Sequence, residues 1–325
     1  MKFLIFLVIG FSSVFSQNVT WEEYKKMFGK IYTDSLEDSV RKVYFTNQIS
    51  FMNMHNKETT FKVGLNSLSD CGFGYNFNYC FRNVEWSTDF PKGSPIEMDN
   101  TENLPESFEL DTSGVEITDQ TNNGNLTFMK CNYGWAFAVA KAVEIFGIQH
   151  SNYPNTVSLS AQQLIDCWGN DNCFTGIPHK AFEYLTNYQQ LLYSAYNYKY
   201  NDFCVQDISG YPEAGSLRKF SILDDKAKEE DIKAVLYLKR APIIFEIDPY
   251  SEFFMNYKSG IFSSTITNSH SHFMLIVGYG TETIKAVKYP YWKVLNTWGP
   301  TWGENGYMKL SRTNFIKKFV FPSEY

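Results

Sequence analysis

The chain has no run of Lys or Arg, no long apolar stretch beyond its first residues, and no internal repeat. Lys and Arg number 29 against 35 Asp and Glu, so no basic stripe is present that could neutralise nucleic-acid phosphates. No later segment approaches the roughly 20 consecutive apolar residues that a membrane-spanning helix needs. We therefore expect neither a nucleic-acid partner nor a membrane span.

The first residues have the composition of an export signal. Met1 and Lys2 are followed by an apolar run from Phe3 to Phe15 and by the small residue Ser16. A basic start, a short apolar core and a small residue at the end are typical of a secretory signal peptide, here residues 1–16. A buried N-terminal strand is the alternative. The signal predicts export, to the extracellular space or to a lysosome-like compartment.

The cysteines and two Asn-x-Thr triplets are consistent with export through the secretory pathway. The six cysteines are an even set, and oxidising compartments favour their pairing, although reduced structural cysteines would be expected if the signal were misread. Asn18 and Asn125 each begin an Asn-x-Thr triplet, a glycosylation acceptor that matters only in an exported chain. Such triplets also arise by chance.

The N-terminal third is predicted to be helical. Thr20 and Glu23 form a capping box before apolar residues at helical spacing, and a second helix is expected near Ser35. Charged residues four apart on that second helix, such as Glu37 and Arg41, could equally form a solvated row of ion pairs. Residues 90–103, rich in Pro, Gly and acidic side chains, predict an exposed, cleavable linker.

The remainder divides into a helical part and a strand part. Residues 135–149 are apolar nearly all round, which predicts a buried helix, and Ser160 with Gln163 predicts the start of another. Short apolar runs at 243–247, 273–277 and 291–295 predict strands. Helices followed by strands, without interleaving, indicate an α+β protein.

Several motifs resemble those of papain and the cathepsins. The stretch Cys131-Asn132-Tyr133-Gly134-Trp135 resembles the family's nucleophile segment, C-G-[SA]-C-[WY]. The most specific motif is the twin-tryptophan run of residues 296–307, and His272 precedes Val277-Gly278-Tyr279-Gly280 at the family's spacing. The helix that carries Glu37, Arg41, Phe45 and Asn56 resembles a cathepsin L-like prosegment. The chain is therefore identified as a member of this family.

The resemblance implies a two-lobed papain-like fold, with a helical lobe and an antiparallel β-barrel-like lobe, preceded by a helical inhibitor-type prosegment. It implies a signal peptide at 1–16, a prosegment at 17–103 and a peptidase domain at 104–325. It also implies a monomer whose own prosegment is an intramolecular partner. The implied disulfides are Cys131–Cys173, Cys167–Cys204 and Cys71–Cys80, whereas the sequence alone allows 15 pairings.

The same resemblance assigns the catalytic positions and reveals one loss. His272 corresponds to the imidazole, Asn296 to the amide that orients it, and Trp298 to the indole that shields their hydrogen bond. Gly134 stands where the family has its nucleophilic cysteine. No Ser or Thr lies between Lys130 and Trp135, so the sequence predicts a protease homologue that lacks its nucleophile.

The oxyanion position is also altered. In the family a glutamine shortly before the nucleophile segment helps to stabilise the oxyanion. Gln120 is the candidate here, but an apparent insertion follows it, and a strict count back from Cys131 arrives at Phe128. Gln120 is therefore only a possible oxyanion donor, and the altered loop also argues against hydrolysis.

The substrate cleft is expected to be partly retained. Thr175 and Gly176 stand where the family has paired glycines that admit a substrate backbone, so Thr175 adds bulk and Gly176 keeps the room. Ile177 and Pro178 resemble the wall of an apolar pocket, although all four could simply be packing residues. A peptide- or partner-binding protein without turnover is the predicted function. A peptidase with residual activity and a storage or structural role are the alternatives. No cofactor is expected, and no metal, because His270 and His272 have no third ligand.

Overall fold

A computed structural model describes most of the chain. The described residues are 19–56, 60–72, 90–93, 103–120, 133–154, 157–168, 176–188, 190–192, 204, 213–215, 217–224, 226–267, 270–314 and 316–325. Asn18, Cys80, Asn125, Phe128, Cys131, Cys173 and Thr175, which the sequence analysis singled out, lie outside these ranges. Among the described residues no helix is long and apolar enough to cross a membrane.

The prosegment begins with two helices that pack on each other. Helix α1 (Trp21–Phe28) starts at Thr20 with the predicted capping box and ends at Gly29 in the left-handed region. Helix α2 (Ser35–His55) starts where the sequence predicts, capped by Asp34. Arg41 and Phe45 on α2 are buried, so this face is a packing surface and not a solvated row of ion pairs.

The helical lobe is built around helix α3 (Gly134–Gln149). Its side chains from Gly134 to Ile148 are buried, which confirms the prediction of a helix that is apolar all round. Helices α4 (Ala161–Cys167) and α5 (Pro178–Asn187) pack against it. Ser160 caps α4 as predicted, and the Cys167–Cys204 disulfide implied by the resemblance is present.

The sheet lobe follows in the chain and contains most of the strands. The bounds of the strands are β1 Phe61–Val63, β2 Phe108–Glu109, β3 Gln190–Leu191, β4 Glu213–Gly215, β5 Lys219–Ile222, β6 Ile243–Ile247, β7 Tyr257–Phe262, β8 His272–Ile284, β9 Val287–Leu295, β10 Tyr307–Ser311 and β11 Lys317–Glu324. The strands of the main sheet are ordered β1-β7-β10-β9-β8-β6-β11-β5, with β2 paired to β8, and β3 pairs with β4 separately. Helices α6 (Glu229–Leu238) and α7 (Glu252–Met255) accompany the sheet. The three predicted strand runs lie within β6, β8 and β9.

The sequence did not predict that the prosegment adds a strand to the sheet lobe. Strand β1 pairs antiparallel with β7, with Phe61 opposite Gly260. Beside this pairing, the Asn256 side-chain amide donates to Gln48 Oε1 at 2.6 Å, and the Asn66 amide donates to the Met255 carbonyl at 2.8 Å. Gln48 and both asparagines are buried, so these bonds lie inside the interface.

The structure describes residues 90–93 and residue 103 of the predicted linker. Phe90 packs edge-on against His179 of α5, with 4.9 Å between ring centroids. A Cβ added to Gly93 would overlap the Leu223 backbone carbonyl, so the two backbones approach closely and glycine is required. The start of the linker therefore contacts α5 through Phe90 and the end of β5 through Gly93, while Pro91 and Lys92 between these contacts are exposed.

Replacing Gln48 by Ala tests the importance of the buried amide pair. The change removes one of the two acceptors of the Asn256 amide in a buried interface, and we expect the free energy of unfolding to fall by about 1–3 kcal/mol. Asn47→Ala is the matched control, because Asn47 is exposed one residue earlier on the same helix. Urea unfolding measures both variants, and equal stabilities would contradict the proposed role of the pair.

Candidate active site

The site lies where the first residue of α3 meets the first residue of β8. Gly134 begins α3 and His272 begins β8, and both are buried. A Cβ built on Gly134 would lie 2.9 Å from His272 Nδ1 and 3.0 Å from its Cε1. The histidine thus faces residue 134 directly, across the junction of the helical and sheet lobes.

Asn296 holds the imidazole in one orientation. Its Oδ1 lies 2.8 Å from His272 Nε2 and also accepts the backbone N–H of Thr297 at 2.8 Å. Because an amide oxygen only accepts, Nε2 carries the proton and the lone pair of Nδ1 points toward Gly134. Trp298 covers the ring, with 4.8 Å between centroids and 30° between planes.

Burial keeps His272 uncharged. The side chain is 2% exposed, and burial lowers its pKa to about 4 even though the bond to Asn296 acts in the opposite direction. A neutral imidazole whose Nδ1 lone pair points toward Gly134 can accept a proton from a group at that position. Its neighbour at residue 134 has no side chain from which it could take a proton.

Gln120 belongs to the same site despite the insertion that follows it. The backbone N–H of Gln120 donates to the Thr297 carbonyl at 3.0 Å, and the Thr297 hydroxyl donates to Gln120 Oε1 at 2.6 Å. That Oε1 lies 3.3 Å from the Cβ position of Gly134. The structure therefore brings Gln120, Gly134, His272, Asn296 and Trp298 together.

Gly176 lies directly against the central helix. A Cβ on Gly176 would overlap the indole of Trp135, the second residue of α3. Packing against Trp135 therefore requires a glycine at this position, and the role of Gly176 in a substrate cleft stays a prediction. Ile177 caps α5 and Pro178 occupies its first turn, where a missing N–H costs no helical hydrogen bond.

Sequence reasoning missed two parts of the surroundings. Thr297 connects Asn296 to Gln120, and only its position directly after Asn296 could have suggested this. Glu246 is a buried carboxylate in the otherwise apolar strand β6, and it accepts a hydrogen bond from Ser271, the residue before His272. A charged residue within an apolar strand run was the available signal.

Two family models match the chain. The model described as papain family cysteine protease matches residues 104–319. The model described as cathepsin propeptide inhibitor domain matches residues 21–73, which contain α1, α2 and β1. Together they cover the prosegment and the two lobes that meet at the site.

Curated relatives match over nearly their full length. A cathepsin L-like proteinase of Fasciola hepatica is 28% identical over 331 residues, covering 96% of this chain and 94% of the relative. Cathepsin S of Mus musculus is 28% identical, covering 90% of this chain and 85% of the relative. The similarity thus extends across both the prosegment and the peptidase part.

Solved precursor structures share the fold. Digestive procathepsin L 3 from the larval midgut of Tenebrio molitor superposes with a TM-score of 0.76 at 25% identity, covering 96% of this chain and all of the other. A recombinant stem bromelain precursor gives a TM-score of 0.77 at 23% identity, covering 94% of this chain and 97% of the other, which supports the fold alone.

The low pKa of His272 predicts a pH-dependent stability. Below pH ~6.5 the unfolded chain takes up a proton that the folded chain refuses until pH falls to about 4. The free energy of unfolding should therefore fall through this window by about 3 kcal/mol and then level off. Denaturant unfolding at several pH values, compared with His272→Gln, measures this contribution. Equal pH dependence in the two proteins would contradict it, since other titrating groups are present in both.

Proposed function

The chain belongs to the papain family of cysteine proteases and carries a cathepsin-type propeptide domain, and from this we propose that it is an inactive member that binds peptides. The observation that carries the proposal is the contact between Gly134 and His272. The family mechanism needs a thiol whose proton the imidazole removes, which leaves the thiolate as the nucleophile. Residue 134 faces this imidazole, but because it is a glycine it has no side chain that could act as the nucleophile.

The charge state of His272 supports the same conclusion. A thiolate beside the ring would stabilise the imidazolium and raise the pKa of the histidine. With no anion at residue 134, burial dominates and the pKa falls to about 4. The site is therefore electrostatically unlike a thiolate–imidazolium pair, although Asn296 and Trp298 hold the ring as such a pair would require.

Export through the secretory pathway is part of the proposal. The Cys167–Cys204 disulfide and the disulfide formed by Cys71 are characteristic of oxidising compartments. Together with the predicted signal at residues 1–16 and the acceptor asparagines Asn18 and Asn125, they support a secreted or lysosomal glycoprotein. Cys80 remains the proposed partner of Cys71, and Cys131 that of Cys173.

A cysteine-type endopeptidase with residual activity is the second candidate. The observation in its favour is that Gln120, His272 and Asn296 are assembled although the nucleophile is missing, and oxyanion stabilisation alone leaves some catalysis in enzymes that lose their nucleophile. Incubating the purified full-length chain with a broad peptide library, with mass-spectrometric detection, distinguishes the two. Peptides that raise its melting temperature and stay intact support the binding protein. Cleavage that His272→Gln abolishes supports the peptidase.

Gly134→Cys tests whether only the nucleophile is missing. The new Cβ requires the His272 ring to move by a few tenths of an ångström, because it would lie 2.9 Å from Nδ1. After removal of the prosegment, we expect the variant to react with a thiol-directed epoxide and to cleave a fluorogenic peptide at least about a hundredfold faster than the wild type.

Gly134→Ala is the matched control, because it adds the same Cβ without sulfur. It should remain as inactive as the wild type. If Gly134→Cys folds but neither reacts nor cleaves, the remaining site is not competent, and the suspicion moves to Gln120 and the insertion after it.

A further inference from the structure

His55 lies where the prosegment meets the sheet lobe. It is the last residue of α2, and its ring lies 4.7 Å from that of Phe61 on β1 and 4.8 Å from that of Phe253 on α7, measured between centroids. Phe51, one turn earlier on α2, stacks on the same ring and meets Phe253 edge-on. We call these four residues the aromatic cluster. The histidine therefore contacts the sheet lobe as part of an otherwise apolar cluster.

The aromatic cluster provides no acceptor for a second proton on this ring. Nε2 of His55 is shielded from water, and among the described residues no group hydrogen-bonds to it. A neutral histidine can leave one nitrogen as a bare lone pair, whereas imidazolium carries a proton on both nitrogens. Protonation of the docked ring would therefore bury a charged N–H group without a partner, which is costly.

The charged neighbour on β1 acts in the same direction. Burial lowers the pKa of His55, and the positive charge of Lys62 lowers it further, although the backbone of Phe61 acts in the opposite direction. Phenylalanine faces also attract a cation, but they do so less strongly than tryptophan. The net result is a ring that stays neutral to lower pH when the prosegment is docked.

The charged groups of the other two elements do not face His55 as partners. On α7, the Glu252 carboxylate lies 3.5 Å from the side-chain amide of Gln48, two turns before His55 on α2. On β7, Lys258 lies against Gly64, because a Cβ on that glycine would be 3.2 Å from Lys258 Cγ. A second cation at this interface does not favour a charge on the histidine.

Protonation of His55 is therefore coupled to docking. In an undocked prosegment the ring is in water and binds a proton at its ordinary pKa of ~6.5. The docked ring binds that proton only at a lower pH. As pH falls below ~6.5, docking therefore weakens by up to about tenfold per pH unit, until the pKa of the docked ring is reached.

Two backbone amides report directly on docking. The Gly64 N–H of the prosegment donates to the Asn256 carbonyl at 2.8 Å, and the Ile261 N–H of β7 donates to the Thr60 carbonyl at 3.0 Å. One bond has its donor in the prosegment and the other has its donor in the sheet lobe. Both break when the prosegment leaves the face formed by α7 and β7.

We infer that the prosegment of this chain is a reversible cover of the α7–β7 face, and that His55 is the pH switch that opens it in acid. The switch goes beyond the proposed function and does not depend on peptide binding. Reversibility rests on the proposed inactivity, because Gly134 provides no nucleophile that could cut the linker. The opened prosegment stays attached and docks again at neutral pH. The two proposed destinations, a neutral extracellular fluid and an acidic lysosome-like compartment, lie on opposite sides of this switch.

Amide hydrogen exchange of the intact full-length chain at pH 7.5 and 5.5 tests the inference. Rates are corrected for the intrinsic effect of pH, and the amides of α3 serve as the reference for global unfolding, including any contribution of His272. We expect the protection of the Gly64 and Ile261 amides, relative to α3, to fall by a factor of about five to ten at pH 5.5. Returning the sample to pH 7.5 should restore it.

His55→Phe tests the cause of this pH dependence. The substitution keeps a ring in the aromatic cluster but cannot be protonated, so protection of the two amides should be equal at both pH values. His150→Phe is the matched control, because His150 is an exposed histidine at the end of α3. It should keep the wild-type response.

Titration of the His55 ring by NMR in the wild type does not depend on how well a variant docks. We expect a pKa below ~6.5, and a value at or above it overturns the inference. Equal protection of the wild type at both pH values also overturns it, as does a docked His55→Phe protein that keeps the pH dependence. A fall in the mass of the purified chain in acid would instead overturn reversibility together with the proposed inactivity.

Discussion

The contact between Gly134 and His272 is the constraint on which the site depends. The contact joins the first residue of the central helix to the first residue of a central strand. The distance between Gly134 and His272 is therefore set by how the two lobes pack on each other. Asn296 and Trp298 prevent the ring from turning away. Because His272 lies within 3 Å of the position that a Cβ at residue 134 would occupy, the ring leaves room for a glycine at this position and for no larger residue unless the ring shifts.

Local signals in the sequence were sufficient to predict many of the helices and strands. The capping box at Thr20, the all-apolar helix from residue 135 and the strand runs near residues 243, 273 and 291 each depend on neighbours in sequence, and all are present in the structure. The twin-tryptophan motif begins at Asn296, and His272 was identified by its spacing from the Val277-Gly278-Tyr279-Gly280 segment. These features required no knowledge of distant contacts.

Long-range features could not be derived in the same way. Counting residues from Cys131 arrives at Phe128, but position in space is set by pairing, and the backbone bond to Thr297 brings Gln120 into the site instead. Nothing local to Phe61 indicates that it pairs with β7, and nothing local to Lys318 indicates that it meets Glu246. Each of these contacts joins segments that only the completed fold brings together.

The pairing of β1 with β7 has a consequence for biosynthesis. Strand β1 is translated early, whereas its partner around Gly260 follows most of the chain later. Met52, Phe61 and Val63 belong to the same buried cluster as the central helix and sheet, so these prosegment side chains stay exposed until the partner strand emerges. Contacts of such long sequence separation slow folding and prolong exposure of apolar surface. On a growing chain, Phe61 and Val63 therefore find their partner strand only after translation has passed residue 262.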